Sequence, residues 1–272
     1  MKPVRNIFKN RRGLAAPVSL LLILFALTMV STVAYSYSLS QIENRKQDLN
    51  LNAAEIKNLE LETSISNNVW QPGTIRIVSF SNYGGQFKVQ PTGNNLQLNA
   101  TMNTTVVNLF DSPTGRYIYE LPSTLVGHYG RWFRGDERAI INQTASIQAQ
   151  VSVGAGNEYQ ELITRYRPTV SSSIGDLSAG RRVNKIRIYI INLNSSTALQ
   201  SSGEFHIKAA VEDVTIVTQS YDLDAAITNI TLSANLAGIT DHVDIPITAG
   251  PSGSTVQYEL VISNVILTEV IL

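Results

Sequence analysis

Residues Leu14 to Ala34 read LAAPVSLLLILFALTMVSTVA. Wound as an α-helix, such a run reaches about 32 Å, which matches a hydrocarbon core of roughly 30 Å. No charged side chain stands between Arg12 and Glu43. Lys2, Arg5, Lys9, Arg11 and Arg12 precede the run with no acid among them. A basic flank on the N-terminal side alone puts that end in the cytoplasm and everything after Tyr35 outside. Length, absence of charge and flank together read as a membrane-crossing helix, not as the core helix of a soluble domain.

The rest of the chain narrows the function classes. It has 272 residues, 21 basic and 21 acidic, three His and no Cys. Without Cys there is no disulfide framework, zinc–thiolate site, iron–sulfur cluster or cysteine nucleophile. A formal net charge of zero argues against a general nucleic-acid binder. Charged residues make up 15%, below the roughly 25% of ordinary soluble domains. Ser, Thr, Asn and Gln take their place, a composition common in exported β-proteins.

Three fates are open to the apolar run. It stays as a signal-anchor. Or signal peptidase cuts after Ala34 or Ser36, where Thr32-Val33-Ala34 and Ala34-Tyr35-Ser36 offer small-x-small sites. Or the cut falls on the cytoplasmic side, before the run. Arg11-Arg12 also fits the start of a twin-arginine signal, but the Gly-Leu-Ala-Ala that follows fits that signal poorly. The stretch Arg11-Arg12-Gly13-Leu14-Ala15-Ala16-Pro17-Val18 resembles the class III signal peptide of archaeal type IV pilin-like proteins. The resemblance covers the leader and about the first fifty residues after it. It implies that prepilin peptidase cuts after Gly13 and leaves Leu14 as the new N-terminus, with the helix retained. It also implies packing of that helix against copies of the chain or other pilin-like subunits. Many bacterial pilins carry Glu at the fifth position of the processed chain. Here that position is Val18, and archaeal members often lack the Glu.

Beyond the run, Leu39 to about Asn67 contains neither Gly nor Pro. Ile42, Leu49 and Ile56 recur at seven, with Leu39, Ala53, Leu59 and Ile65 at nearby positions of the helical wheel. This spacing predicts an amphipathic helix with a narrow apolar stripe. If it continues the first helix, residues 14–66 make a rod of roughly 80 Å. Its upper half is expected to dock on the domain that follows. A coiled-coil dimer is the other use of such a stripe, although fewer than three good heptads are present.

At Trp70-Gln71-Pro72-Gly73 the helix should stop. The period then changes to two. Thr74–Phe80 and Gln86–Val89 alternate about Asn82-Tyr83-Gly84-Gly85 and read as a hairpin. Further strands are expected at Leu96–Met102, Thr105–Phe110, Arg116–Leu121, Ala145–Val153, Tyr159–Tyr166, Lys185–Asn192, Glu204–Ser220, Ile227–Ala234, Val243–Ile247 and Thr255–Ile271. The expected fold is mainly β with a long N-terminal α-helix. Its parts are a basic leader (1–13), a transmembrane helix (14–35), an amphipathic extension (36–70) and an all-β sandwich head (71–272). Pro168–Arg182 is the best candidate for a linker inside the head.

Chemistry is hard to find. No nucleophile elbow, zinc-protease motif or phosphate loop occurs, so no catalytic, cofactor-binding or metal-ligating residue is expected. His128, His206 and His242 lie far apart, and His206 alternates with apolar neighbours as a cross-strand histidine would. Asp241-His242-Val243-Asp244 reads better as a solvated turn than as a metal site, and Asp222 and Asp224, two apart, are a weak candidate for a calcium site. Arg131-Trp132-Phe133-Arg134-Gly135-Asp136-Glu137-Arg138 is the densest aromatic and charged stretch. It reads either as a partner surface or, better, as a loop whose rings pack and whose charges pair locally. Arg181, Arg182, Lys185 and Arg187 fit a charged strand edge. Asn99, Asn103, Asn142, Asn194 and Asn229 begin glycosylation sequons, where roughly four would arise by chance in this composition. The expected role is a cell-surface structural or adhesive protein. The alternative is a monomeric, signal-anchored β-sandwich that binds a ligand or an envelope partner.

Overall fold

The computed structural model describes residues 12–122, 129–142, 147–156 and 159–271. Helix α1 runs from Arg12 to Ser66. The chain divides into two units, Met1–Leu49 and Asn50–Leu272. In the first, every described side chain from Pro17 to Gln41 is exposed, Leu20, Leu21, Leu22 and Phe25 by 62–66%. The second holds the last turns of α1 and three β-sheets.

Sheet A has the order β1 (Ile75–Phe80), β13 (Phe205–Leu223), β16 (Ser254–Val270), β11 (Arg181–Asn192), β10 (Thr169–Ser178) and β7 (Ile141–Asn142). Sheet B runs β12 (Leu199–Ser202), β2 (Gln86–Gln90), β5 (Arg116–Pro122), β9 (Tyr159–Tyr166), β8 (Ala149–Ala155) and β6 (Trp132–Arg134). Sheet C runs β15 (Ile239–Pro246), β14 (Asn229–Leu236), β3 (Asn95–Met102) and β4 (Thr105–Pro113).

Sheet A serves two cores. Along β16 the even positions Val256, Tyr258 and Leu260 are buried against sheet C, beside Leu98, Leu232 and Ala234. From Val261 onward the odd positions are buried instead, and Val265 and Leu267 join a second core with sheet B and α1. The pairing of β16 with β11 runs without a slip from Arg182–Ser254 to Asn192–Asn264. Since successive side chains point to opposite faces, the change marks a change in which face is covered. β11 repeats the pattern, with Ile186, Ile188 and Ile190 in the first core and Ile191 in the second.

The expected hairpin of Thr74–Phe80 with Gln86–Val89 does not form. β1 pairs with β13 in sheet A, and β2 pairs with β5 and β12 in sheet B. The intervening segment turns between sheets because Phe80 and Phe87 enter one core from either side, ring centroids 5.4 Å apart. Gly85 permits that corner, since a Cβ there would lie 2.3 Å from the Glu120 carbonyl oxygen. Pro168–Arg182, the linker candidate, is instead β10 and its turn into β11, paired over most of its length. That turn is Ala179-Gly180, both at positive φ, as a two-residue hairpin loop requires.

The end of α1 seats in the second core through Leu51, Ala54, Leu61, Ile65 and the following Val69, each 5% exposed or less. The spacing of three and four is that of one helix face. Ile42, Leu49 and Ile56, the stripe expected to dock, are 63%, 68% and 64% exposed. At 100° per residue Ile56 stands about 200° from Asn58, which is buried, so Ile56 faces away from the seat. Asn68 ends the helix by donating its Nδ2 to the Ser64 carbonyl at 2.9 Å. We expect Leu61→Ala to lower unfolding stability by about 2–4 kcal/mol. Ile56→Ala should stay within about 0.5 kcal/mol of the parent. Urea denaturation of both variants measures the difference.

Candidate functional site

Two charged groups meet where α1 crosses sheet B. Glu62 lies on the seated face of the helix and its side chain is 1% exposed. Arg134, from β6, donates its Nη1 to the Glu62 carboxylate and to Thr63 Oγ1. Ser66, one turn on, donates its hydroxyl to the same carboxylate. Nearby, Asn58 Nδ2 donates to Thr164 Oγ1 of β9 at 2.8 Å. Burial raises the Tyr117 phenol above its ordinary range, partly offset by the Thr164 and Tyr166 hydroxyls. The seat is therefore an apolar face with two polar pegs, Asn58 and Glu62, each matched from sheet B.

A cleft of about 430 Å³ opens beside the ion pair, and Glu62, Ser66, Trp70, Arg134, Ile147 and Gln148 line it. Trp70, just past the helix end, is 37% exposed. Its ring and that of Tyr189 are inclined at 68°, with centroids 5.2 Å apart. Gln148 Nε2 donates to the Tyr189 carbonyl at 2.9 Å, and its Oε1 has no donor among the described residues. Neither Trp70 nor Gln148 stood out in the sequence. The indole was legible only as part of a helix stop, and Gln148 is one of many carboxamides.

The dense stretch Arg131–Arg138 is mostly spent inside the fold. Phe133 packs on the second core and the Arg131 guanidinium lies 4.8 Å from its ring centroid. Asp136 accepts from Arg138 Nε at 3.0 Å and Nη2 at 2.7 Å, and from Arg167 Nη1. Arg167 is 2% exposed, and its guanidinium also donates to the carbonyls of Ile147 and Arg138. Hydrogen bonds from Arg138, then Arg167, hold the Asp136 carboxyl well below the usual carboxylate range. These contacts fit local pairing better than a free partner surface.

The other residues singled out in the sequence do not converge. His206 Nδ1 lies 2.8 Å from Ser79 Oγ across the β1–β13 pair, and both are strand partners. His242 is exposed on β15 and its backbone N–H donates to Asp241. Asp244 accepts from Thr231, and Asp222 from Thr255. Arg187 pairs with Glu259 at 2.6 Å. Arg181 lies 4.0 Å from Asp222 and donates to the Leu223 carbonyl. Among the described residues no three His, Asp or Glu side chains gather as metal ligands would. Asn103, Asn142 and Asn229 are exposed, Asn103 at positive φ in the β3–β4 turn. Asn99 and Asn194 are half-buried and accept hydrogen bonds from Asn108 and Asn192. His128 and the leader before Arg12 lie outside the described residues. Gly13 and Leu14 fall in the first turn of α1.

Two measurements probe these networks. Arg134→Leu strands the buried Glu62 carboxylate and should cost about 2–4 kcal/mol, less than for a wholly buried pair because Arg134 is one-third exposed. Replacing both partners with Leu should recover most of that loss in a double-mutant cycle. The lowered pKa of Asp136 gives stability that is present above the unfolded value near pH 4 and lost as pH falls below it. Urea midpoints should therefore fall more between pH 5 and pH 2 for the parent than for Asp136→Asn.

No family model matches the chain, and no curated protein or solved structure is similar to it. What can be said of its function rests on its own residues: a long, exposed, apolar N-terminal helix, of the kind that serves as a membrane anchor or a signal sequence, followed by a three-sheet β-domain.

Proposed function

We propose that the chain is a pilin-like protein of the cell surface, with a structural or adhesive role and no catalytic one. The N-terminal helix holds it in the membrane, the leader stays in the cytoplasm, and the β-domain faces outward. The observation that carries this reading is the contrast within one helix. Val18 to Leu39 present apolar side chains on all sides to solvent, whereas Leu51 to Ile65 bury one face in the β-domain core. A helix that is apolar all round is stable only inside lipid or among other apolar helices. A helix that is both an apolar span and a seated part of its own head is what a retained, uncut spine requires. A removable signal sequence has no need of the second feature.

The finer parts of the proposal follow from the leader. Arg11-Arg12-Gly13 before the apolar run supports processing by an archaeal-type prepilin peptidase between Gly13 and Leu14. Once outside lipid, the span has to bury itself against copies of the chain or other pilin-like subunits, and a filament satisfies that need.

The N-terminal residue of the chain isolated from its native membrane fraction tests the reading. We expect Leu14. Met1 would mean a plain signal-anchor and a monomeric binding domain. Tyr35 or Tyr37 would mean a secreted protein without its helix, and the spine would be wrong.

A further inference from the structure

We infer that the cleft beside the helix seat binds a neutral pyranose sugar, with Trp70 as the stacking platform. Its volume of about 430 Å³ falls in the range of small-ligand sites, roughly 300–1,000 Å³. Its chemistry is mixed in a particular way. Trp70 supplies an indole with an apolar body and one polar N–H. Ile147 adds an aliphatic wall. Among the described residues, the Gln148 carboxamide oxygen has no hydrogen-bond donor, and Arg134 donates to Glu62 and Thr63 through Nη1, which leaves Nε and Nη2 for a ligand. Glu62 and Arg134 cancel in charge. A cleft with an aromatic wall, several donors and acceptors and no net charge suits a ring that carries apolar C–H faces and hydroxyl edges. It offers no excess charge to an ion and too many polar groups to a lipid chain.

The recognising groups are also held in place before any ligand arrives. The Tyr189 ring packs against Trp70 at an angle of 68°, and its carbonyl accepts from Gln148 Nε2. Glu62 and Thr63 fix Arg134 from the helix side. Such fixing lowers the ordering cost of binding. The inference concerns only the end of α1, from Glu62 on, and the β-domain, so it holds for any N-terminal residue the processing test returns.

The test uses the full chain in phosphatidylcholine nanodiscs, which avoids sugar-headed detergents. Trp70 and Trp132 are the two tryptophans, so a Trp132→Phe background makes fluorescence report on Trp70. Methyl glycosides of glucose, galactose, mannose and N-acetylglucosamine are titrated, with methyl glucuronide as the charged comparison. At least one neutral glycoside should give a saturable change, with Kd below about 10 mM. Gln148→Leu should weaken it by roughly tenfold. Ligand-detected saturation-transfer NMR should show binding lost in Trp70→Ala and partly kept in Trp70→Phe, with the melting temperature of each variant checked against the parent. Three results would overturn the inference: no saturable response from any neutral glycoside up to about 100 mM, a response to the glucuronide alone, or binding that survives Trp70→Ala.

Discussion

The architecture of the head depends on one property of an extended chain: neighbouring side chains point to opposite faces. β13 has 19 residues and β16 has 17, long enough to cross two cores in succession. Over one stretch sheet C covers the even face of β16, and over the next α1 and sheet B cover the odd face. A single slip in the β11–β16 register would turn Tyr258 and Leu260 to solvent and bring Gln257 and Glu259 inward. The register is fixed from both sides at once, so the two cores stabilise each other through shared strands. β13 adapts with a bulge between Val211 and Asp213, which lets its buried set end with Val211 in the second core and resume near Leu223 in the first.

Polar pegs then set how the helix lies on this frame. A purely apolar face could rotate or slide by a turn with little change in buried area. Asn58 and Glu62 remove that freedom, because each has one matching group on sheet B, Thr164 and Arg134. Displacing the helix by a turn would leave a buried carboxylate unpaired. The ion pair adds little net stability, yet it penalises every wrong seating. Ser263 makes a third tie by donating its hydroxyl to the Val69 carbonyl just past the helix.

How far the sequence foretold this follows from what periodicity encodes. The apolar span, the helix stop near Trp70 and the change to period two were all legible, because each is a local pattern. So were most of the strands. Partner choice was not, since β1 and β2 alternate as a hairpin would, and only the burial of Phe80 and Phe87 in one core sends them to different sheets. The seat of the helix misled for a related reason. Ile42, Leu49 and Ile56 make the tidier stripe, but the buried face includes Asn58 and Glu62, residues that a hydrophobic pattern assigns to solvent. The cleft was illegible because its groups come from the end of α1, β6 and the approach to β8, and nothing local connects Trp70 with Gln148.

The low charge of the chain now has a structural meaning. Charged residues make up 15% of the chain, and several of them meet a partner within the head: Arg134 with Glu62, Arg167 and Arg138 with Asp136, Arg187 with Glu259, and Lys88 with Glu120. From residue 71 onward 13 basic side chains face 16 acidic ones, so the head carries only a small negative balance, and at physiological salt its exposed charges act over about 8 Å. Recognition must then act at contact distance, through hydroxyls, carboxamides and exposed rings. So small a balance opposes only weakly the close approach of identical copies that the proposed filament requires. It also suits a ligand whose own chemistry is uncharged and rich in hydroxyls. If the head binds the neutral sugar proposed above, that sparing use of charge leaves hydrogen bonding and aromatic stacking as the means of selection.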